Sequence, residues 1–600
     1  MMPPETDSWF TPQPPARTPP DEAGQARHPR TEEHGAQWFE PAGDDPSEDA
    51  GYAPRPVGHG GYGPAPDGPR SADEARAVQE PRSADEARAV ELAPYRIPRV
   101  PDTGWDPAPS PRRRWIGRGL LFGVLAIQAA LSLRLNSAAH PDEAVSLIVG
   151  RQELARLSDG TAVTTDLIHQ VTGLPWLYPP LAGFGVNASG VFGARLISLV
   201  FALLTTTLLY SLTRRLFNER AAICGAGAYA VLQSTVVVGF YAAPDALAVM
   251  LVALAAWLIT LTARAPVVTV LLAAPAAALA AAVEYASVPA LPVLLALALI
   301  TAWPHRGALP AVLRSLLLGL GTVGVLLPFG IPAAVWTHAT IPARGTQSAG
   351  SILLAAVQWG GLFTVLAIAG AVAYVRRERM NESPDTDAVT ASRLRRTALG
   401  ATLCAAALLI PALHAYQNSS AVMFRHIGFG MLFAAPLAGV GITRLVGAHF
   451  RHPQLGILVW VALLALGLDQ AALRFQNGPD SGSLMGVLRA NATPQGHYLT
   501  EVDGLPEYYL GGVSRPEQWV SARAGTDYQD PAGVRHQGQD GTAAAIRDGY
   551  FTLVVLDSTA PAAVTKVITE AVESSGRYRL IAQFTSTTVD SGTYRVFLMH

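Results

Sequence analysis

Apolar and polar positions divide the chain into three unlike parts. Between Trp115 and Leu473 the apolar residues run on for about 20 at a time, the length a helix needs to cross the hydrocarbon core of a bilayer, with short polar connections between runs. Eleven runs lie near 116–134, 191–212, 221–240, 246–263, 267–284, 286–303, 309–334, 351–375, 397–415, 421–443 and 454–472. They predict eleven transmembrane helices within a domain at 112–473. The fifth and sixth runs, rich in alanine and proline, are separated only by Glu284 and Tyr285. Beyond residue 473 the pattern changes. Short stretches of Val, Leu, Tyr, Phe and Thr at 496–503, 549–557, 578–586 and 592–600 read as strands, and 561–574 repeats its apolar residues at helical spacing. A small α/β domain at 474–600 follows from this.

Residues 1–111 show neither pattern. They hold 22 of the 46 prolines and few aliphatic side chains, too little apolar surface to offset the entropy of ordering, so a disordered tail is expected. A twelve-residue unit beginning Pro69-Arg70-Ser71 recurs at Pro81-Arg82-Ser83, giving a tandem repeat over 69–92. Each copy can form a short helix with its serine as N-cap, but two copies are too few for a solenoid. No apolar core of a secretory signal occurs in the first hundred residues, which places the tail in the cytoplasm.

Composition agrees with the pattern. Half of the 600 residues are hydrophobic and 15% are charged, where a soluble chain carries about 25% charge. A soluble core and a coiled coil are excluded, and a net charge of −2 predicts no nucleic-acid partner. Two cysteines, Cys224 and Cys404, exclude a disulfide framework or a cysteine-rich zinc site. One lysine, Lys566, stands against 43 arginines, a bias of GC-rich genomes such as those of actinobacteria. The arginines also orient the chain. Arg112, Arg113 and Arg114 precede the first run, and clusters at Arg214–Arg215–Arg220, Arg376–Arg377–Arg379 and Arg393–Arg395–Arg396 fall on alternate connections. By the positive-inside rule the N-terminus is cytoplasmic, and an odd number of spans puts the 474–600 domain outside.

Against so apolar a background, the few charges on the outer connections stand out, because charges in or beside membrane spans are costly and usually functional. The first outer loop, 136–190, opens with His140-Pro141-Asp142-Glu143 and continues with helical periodicity, so both carboxylates begin a helix lying along the interface. Neighbouring residues on a helix point in different directions; one of the two is expected to work and the other to support it. Asp245 opens the fourth span, Glu284 and Tyr285 lie between the fifth and sixth, and Arg425-His426 sits just inside the tenth. Arg344 is in the outer loop after the seventh. Arg195, opening the second span, is read as an anchor to neighbouring helices. A carboxylate can serve as general base on a hydroxyl, and an arginine fork suits a phosphate whose charge grows in the reaction.

In order along the chain, His140-Pro141-Asp142-Glu143-Ala144, Tyr178-Pro179-Pro180-Leu181, Gly193-Ala194-Arg195-Leu196-Ile197-Ser198, Asp245, Arg425-His426 and Glu507-Tyr508-Tyr509-Leu510-Gly511 resemble the GT-C membrane glycosyltransferases, in the branch of protein O-mannosyltransferases and lipid A aminoarabinose transferases. The resemblance covers about 116–600. It implies a GT-C-like helical bundle that transfers a hexose or pentose, with inversion, from a polyprenyl-phosphate donor to a protein, glycan or glycolipid acceptor outside the cytoplasmic membrane. On this resemblance Asp142 is the general base. Glu143 assists or helps hold a divalent cation, and Asp245 orients the acceptor or the loop. Arg425, His426 and Arg344 bind the donor phosphate, with His140, Tyr178, Glu284 and Tyr285 in support. Relatives often place an arginine shortly before the second aspartate; here Tyr241 and Pro244 occupy that stretch. Many also carry a lysine near the position of Glu284 and Tyr285, where this chain has none. Either the phosphate site is rebuilt with arginines, or the donor differs, or the chain is a divergent member with reduced activity. The competing classes are a transporter or lipid-carrier flippase and a non-enzymatic protein of envelope assembly.

Overall fold

In a computed structural model the described residues are 111–600, excepting 136–137, 164–165, 331–346, 377–392, 448–451, 476–480, 559, 561 and 586–592. The expected disordered tail and its repeat lie outside them, as does Arg344. The chain is a multi-pass, mostly helical membrane protein. Among the described residues eight helices are long and apolar enough to cross a bilayer: 115–132, 178–216, 285–306, 308–329, 349–376, 393–416, 423–446 and 453–472.

Where they are described, the predicted runs are largely helical, and four differ in form from a simple span, the sixth by starting as a 3-10 turn, Tyr285–Ala290. The third is broken into α4 (Glu219–Ala230) and α5 (Gln233–Val238). Polar Gln233, Ser234 and Thr235 follow the break and are buried there. The fourth, α6 (Asp245–Leu261), has only 17 residues. The fifth starts as a 3-10 turn, Val267–Ala273, and becomes α-helical as α7 (Ala274–Val283), with Pro275 in its first turn, where a missing N–H costs nothing. Of the others, α1 is Pro111–Ser132, α2 is Pro141–Asp159 and α3 is Tyr178–Leu216. The sixth to eleventh runs give α8 (Leu291–Arg306), α9 (Ala308–Leu326), α10 (Ala349–Arg376), α11 (Arg393–Tyr416), α12 (Met423–Val446) and α13 (Pro453–Phe475). In α3 the backbone turns at Ser189 and Gly190 (φ 65°). The residues before this break belong to the loop region, and those after it form the second span.

The centre of the bundle is α12, almost wholly buried and packed against α10, α11 and α4. Lipid tails are as apolar as leucine, so helix contacts in a membrane rely on close approach at small residues. Gly439 of α12 lies where a Cβ would strike the carbonyl oxygen of Ala221, and Gly370 of α10 where it would strike that of Leu437. Leucines and valines of α1, α9, α10 and α13 that remain exposed, such as Leu320, Leu354 and Leu458, make the lipid-facing surface.

The C-terminal region begins with α14 (Ser481–Asn491) and forms a five-stranded sheet in the order β2-β1-β5-β7-β6. Strands β1 (Tyr498–Thr500), β2 (Trp519–Ser521) and β5 (Leu553–Asp557) are parallel, while β6 (Tyr578–Thr585) and β7 (Thr593–Met599) continue it antiparallel. A hairpin, β3 (Tyr528–Gln529) with β4 (Arg535–His536), stands apart. Helices α16 (Gly538–Asp548) and α17 (Ala562–Ser575) pack together on a second small core with Leu499, Val554 and Leu556. The short helix α15 (Leu505–Tyr509) reaches α2. The four predicted strands are present in their described parts, and the predicted helix runs from Ala562; α14, α15, α16, β2, β3 and β4 are additions. The chain is thus an α-helical membrane protein with a C-terminal α/β region.

Candidate functional site

The start of α2 is built around Glu143. Pro141 occupies its first helical position, and the Glu143 carboxylate accepts the backbone N–H of His140 at 2.9 Å, closing the first turn. The same carboxylate accepts Arg195 Nε at 2.8 Å, Arg195 Nη2 at 2.7 Å and the N–H of Ala242 at 2.8 Å. Burial alone would raise its pKa, but the hydrogen bonds and charge of Arg195 hold the carboxyl below its usual range. Arg195 also donates to the carbonyl of Ala138 at 3.2 Å. One buried ion pair therefore joins the first loop, the second span and the turn before α6.

That arrangement turns Asp142, one residue earlier, in another direction. Its side chain is 59% exposed and meets Arg425 Nη2 at 3.1 Å. Arg425 stands in the first turn of α12, buried over the Tyr241 ring at 5.1 Å from its centroid. Its Nη1 lies 3.9 Å from Asp245 Oδ2, and among the described residues neither Nε nor Nη1 has a hydrogen-bond partner. Asp245 opens α6 and is buried; its Oδ1 lies 3.4 Å from His426 Nε2. Glu284 accepts from Thr172 Oγ1 at 2.6 Å and from the N–H of Ala286 at 3.2 Å, within electrostatic reach of Asp245 and His426. Asp142, Asp245 and Glu284, from three separate connections, thus surround Arg425 and His426.

The remaining expected residues are supports. His140 is tilted against Tyr241, ring centroids 5.2 Å apart, and burial pushes its imidazole below the usual pKa against the pull of Glu143. Tyr178 is buried, with its hydroxyl 3.1 Å from that of Ser198. Tyr285 packs at the edge of a small apolar cluster with Ala278, Ala282 and Leu326. Arg195 has the anchoring place expected of it.

Several members were not evident in the sequence. His414 places Nε2 3.2 Å from His426 Nδ1; a lone histidine at the end of an apolar helix carries no signal of such a partner. Thr172 in the first loop holds Glu284. The C-terminal region contributes Tyr509, whose hydroxyl accepts the N–H of Ala139 at 2.7 Å, and Asp503, which accepts Gln170 Nε2 at 3.0 Å. The quoted motif at Glu507-Tyr508-Tyr509 could have pointed to this contact, though not to its target. A divalent cation on Asp142 or Glu143 is not well served by these residues. Both Glu143 oxygens are taken by four donors, Asp142 is paired with a cation, and among the described residues no three His, Cys, Asp or Glu side chains are grouped to hold a metal.

Comparison with known proteins follows the same direction. Residues 181–336 match the model of the dolichyl-phosphate-mannose-protein mannosyltransferase family. No curated protein matches the chain by sequence. Among solved structures, ArnT from Cupriavidus metallidurans in the apo state is 14% identical with a TM-score of 0.49, over 81% of this chain and 98% of that one. The oligosaccharyltransferase AglB from Archaeoglobus fulgidus, in complex with an inhibitory peptide and a dolichol-phosphate, is 13% identical with a TM-score of 0.44, over 80% and 74%. The same organism's oligosaccharyltransferase tethered with an acceptor peptide is 12% identical with a TM-score of 0.43, over 79% and 74%. Of the motifs read from the sequence, the matched stretch 181–336 takes in Gly193–Ser198 and Asp245, so over that stretch the chain is similar to the dolichyl-phosphate-mannose-protein mannosyltransferase family.

Proposed function

We propose that the chain transfers a hexose or pentose from a polyprenyl-phosphate donor to a hydroxyl-bearing acceptor (protein, glycan or glycolipid) on the outer face of the cytoplasmic membrane, with inversion at the anomeric carbon. The observation that carries this reading is the Arg425 guanidinium: buried at a helix end, paired with an exposed Asp142, and, among the described residues, left with two unpartnered N–H edges. A buried donor without an acceptor costs about 1–3 kcal/mol, so the site is completed by an anion, and a phosphate monoester or diester matches the planar fork. The sidedness comes from the arginine-rich alternate connections.

The donor phosphate displaces Asp142 from Arg425. The freed carboxylate then takes the proton of the acceptor hydroxyl as its oxygen bonds to the anomeric carbon. The bond from that carbon to the phosphate oxygen breaks on the opposite side, and Arg425 neutralises the charge left on the polyprenyl phosphate. Asp245 and Glu284 orient the acceptor; Glu143 positions Asp142 through α2 and does not touch the reacting atoms. His426 supports the phosphate side through Asp245.

The test uses the full chain in lipid nanodiscs with radiolabelled polyprenyl-phosphate sugars and membrane extract. Asp142→Asn should lower kcat by about 10²- to 10⁴-fold, the range of a lost general base, with little change in donor binding. Arg425→Ala should weaken donor binding and lower kcat by about 10²-fold or more. Full activity in Asp142→Asn would sink the assignment.

A further inference from the structure

The buried line from Ser419 to Asp245 fixes a proton count. His414 Nδ1 lies 2.9 Å from the carbonyl oxygen of Ser419. A carbonyl can only accept, so this nitrogen carries a hydrogen. His414 Nε2 and His426 Nδ1 are 3.2 Å apart, and one of them must donate to the other. If His414 is neutral, its Nε2 is a lone pair and His426 Nδ1 donates. A neutral His426 would then turn the lone pair of Nε2 toward Asp245 Oδ1, 3.4 Å away. At that distance the contact is an ion-pair approach rather than a formed hydrogen bond, and among the described residues Oδ1 has no hydrogen-bond partner. Two lone pairs facing each other in a buried site repel unless a proton lies between them. If His414 is instead the imidazolium, His426 Nδ1 accepts and its Nε2–H points at Asp245. Both arrangements close the line with one proton more than two neutral imidazoles supply.

We infer that Asp245, His426 and His414 hold one shared proton and act as an electrically neutral unit beside Arg425. The charge of Arg425 is then balanced by Asp142 alone until an anion arrives, and this consequence rests on the donor site proposed above. The groups facing the unit are few. Arg425 Nη1 approaches Asp245 Oδ2 at 3.9 Å from α12. Glu284 faces both Asp245 and His426 from the turn before α8. Asp142 stands beyond Arg425 on α2, Tyr241 lies under the guanidinium, and the Phe429 ring is edge-on to His426. Loss of the shared proton at alkaline pH would create an anion next to Arg425 that competes with the donor phosphate. His414, although it touches neither donor nor acceptor, would thereby be a positioning residue for donor affinity.

The direct measurement is ¹⁵N-histidine magnetic resonance on the full chain in nanodiscs at about pH 7, where an isolated imidazole is mostly neutral. One of the two rings, His414 or His426, should be charged or proton-sharing, and Asp245→Asn should turn both into neutral tautomers. Two neutral rings in the parent chain, or spectra unchanged by Asp245→Asn, would overturn the inference. Should Asp245→Asn fail to fold, His414→Gln and His414→Phe decide: the Gln oxygen can accept from His426 Nδ1–H and should preserve the charged ring, whereas Phe should abolish it. Equal spectra for the two would count against the line. A second arm measures binding of polyprenyl phosphate between about pH 6 and 9. Affinity should fall about tenfold toward the alkaline end in the parent and in His414→Gln, and this pH dependence should be lost in His414→Phe. A flat profile in the parent would reject the coupling. Absence of polyprenyl-phosphate binding at every pH would instead reject the donor reading and leave the shared proton, established by the first arm, standing.

Discussion

Adjacent carboxylates with opposite fates show most clearly how residue chemistry is divided in this protein. Glu143 is spent on structure: four donors, no exposure, and Arg195 as a buried counter-ion. Removing one partner of such a pair strands the other charge, at a cost of about 3–5 kcal/mol, whereas replacing both by apolar groups of similar size is often neutral. Glu143→Met should therefore destabilise the detergent-solubilised protein by about that amount, while Glu143→Met combined with Arg195→Met should recover most of it. Thermal unfolding of the single and double variants measures the difference; additive losses would show that the pair is not a unit. Asp142 is spared such duties, and among the described residues its ion pair is the one with Arg425. The sequence made this division readable in part. Two neighbouring acids at a helix start cannot point the same way, but which of them faces inward depends on Arg195, 52 residues away, and no local pattern reveals that.

At the scale of elements, α15 is the piece that joins the C-terminal region to α2. Gly504, at a φ of 81°, lets the chain turn against Val145, and Glu507 follows it into the contact with one oxygen unpartnered among the described residues. Burial, with a smaller contribution from Asp503, pushes the Glu507 carboxyl up to about 8. A carboxyl whose pKa is raised by docking favours the docked form when protonated. Its contribution is complete below the ordinary value near 4.5 and is lost as pH rises through about 8. Asp503, also raised by burial, works in the same direction. Amide protection of α15 should thus decline between about pH 5 and 9, and Glu507→Gln should flatten most of that decline; hydrogen exchange followed by mass spectrometry reads it, and an unchanged slope in the variant would refute the assignment. Long apolar elements such as α10 and α12 were legible because only a helix satisfies its backbone in lipid. Elements like α15, β2, β3 and β4, with two to five residues each, are too short to show a period and are specified by tertiary partners. The break between α4 and α5 was hidden for a related reason: Ser234 looks like a tolerated polar residue in a span, yet its hydroxyl donates to the carbonyl of Arg425 at 2.7 Å and accepts the N–H of Gly428 at 3.1 Å, shaping the site from behind.

Across the whole molecule, the site is assembled from parts of the chain that are hundreds of residues apart, and the loop carrying Asp142 is held from two sides. From the bundle it is fixed by Arg195 and the N–H of Ala242 through Glu143. From the C-terminal region it is fixed by Tyr509, which is 370 residues from the Ala139 amide it binds, and by Asp503 through Gln170. The C-terminal region thus helps to fix where α2 begins. Tyr509→Phe removes one hydroxyl, keeps the ring against Tyr508, and leaves the Ala139 N–H unpaired at a cost of about 1–3 kcal/mol. If the C-terminal region positions Asp142, this variant should lose exchange protection at the amides of 138–144 and lower kcat several-fold. Polyprenyl-phosphate binding, which depends on Arg425, should hold. If the region is only a cover over the site, the variant should transfer sugar at the parent rate with the same protection, because a cover has no stake in the order of a single turn beneath it.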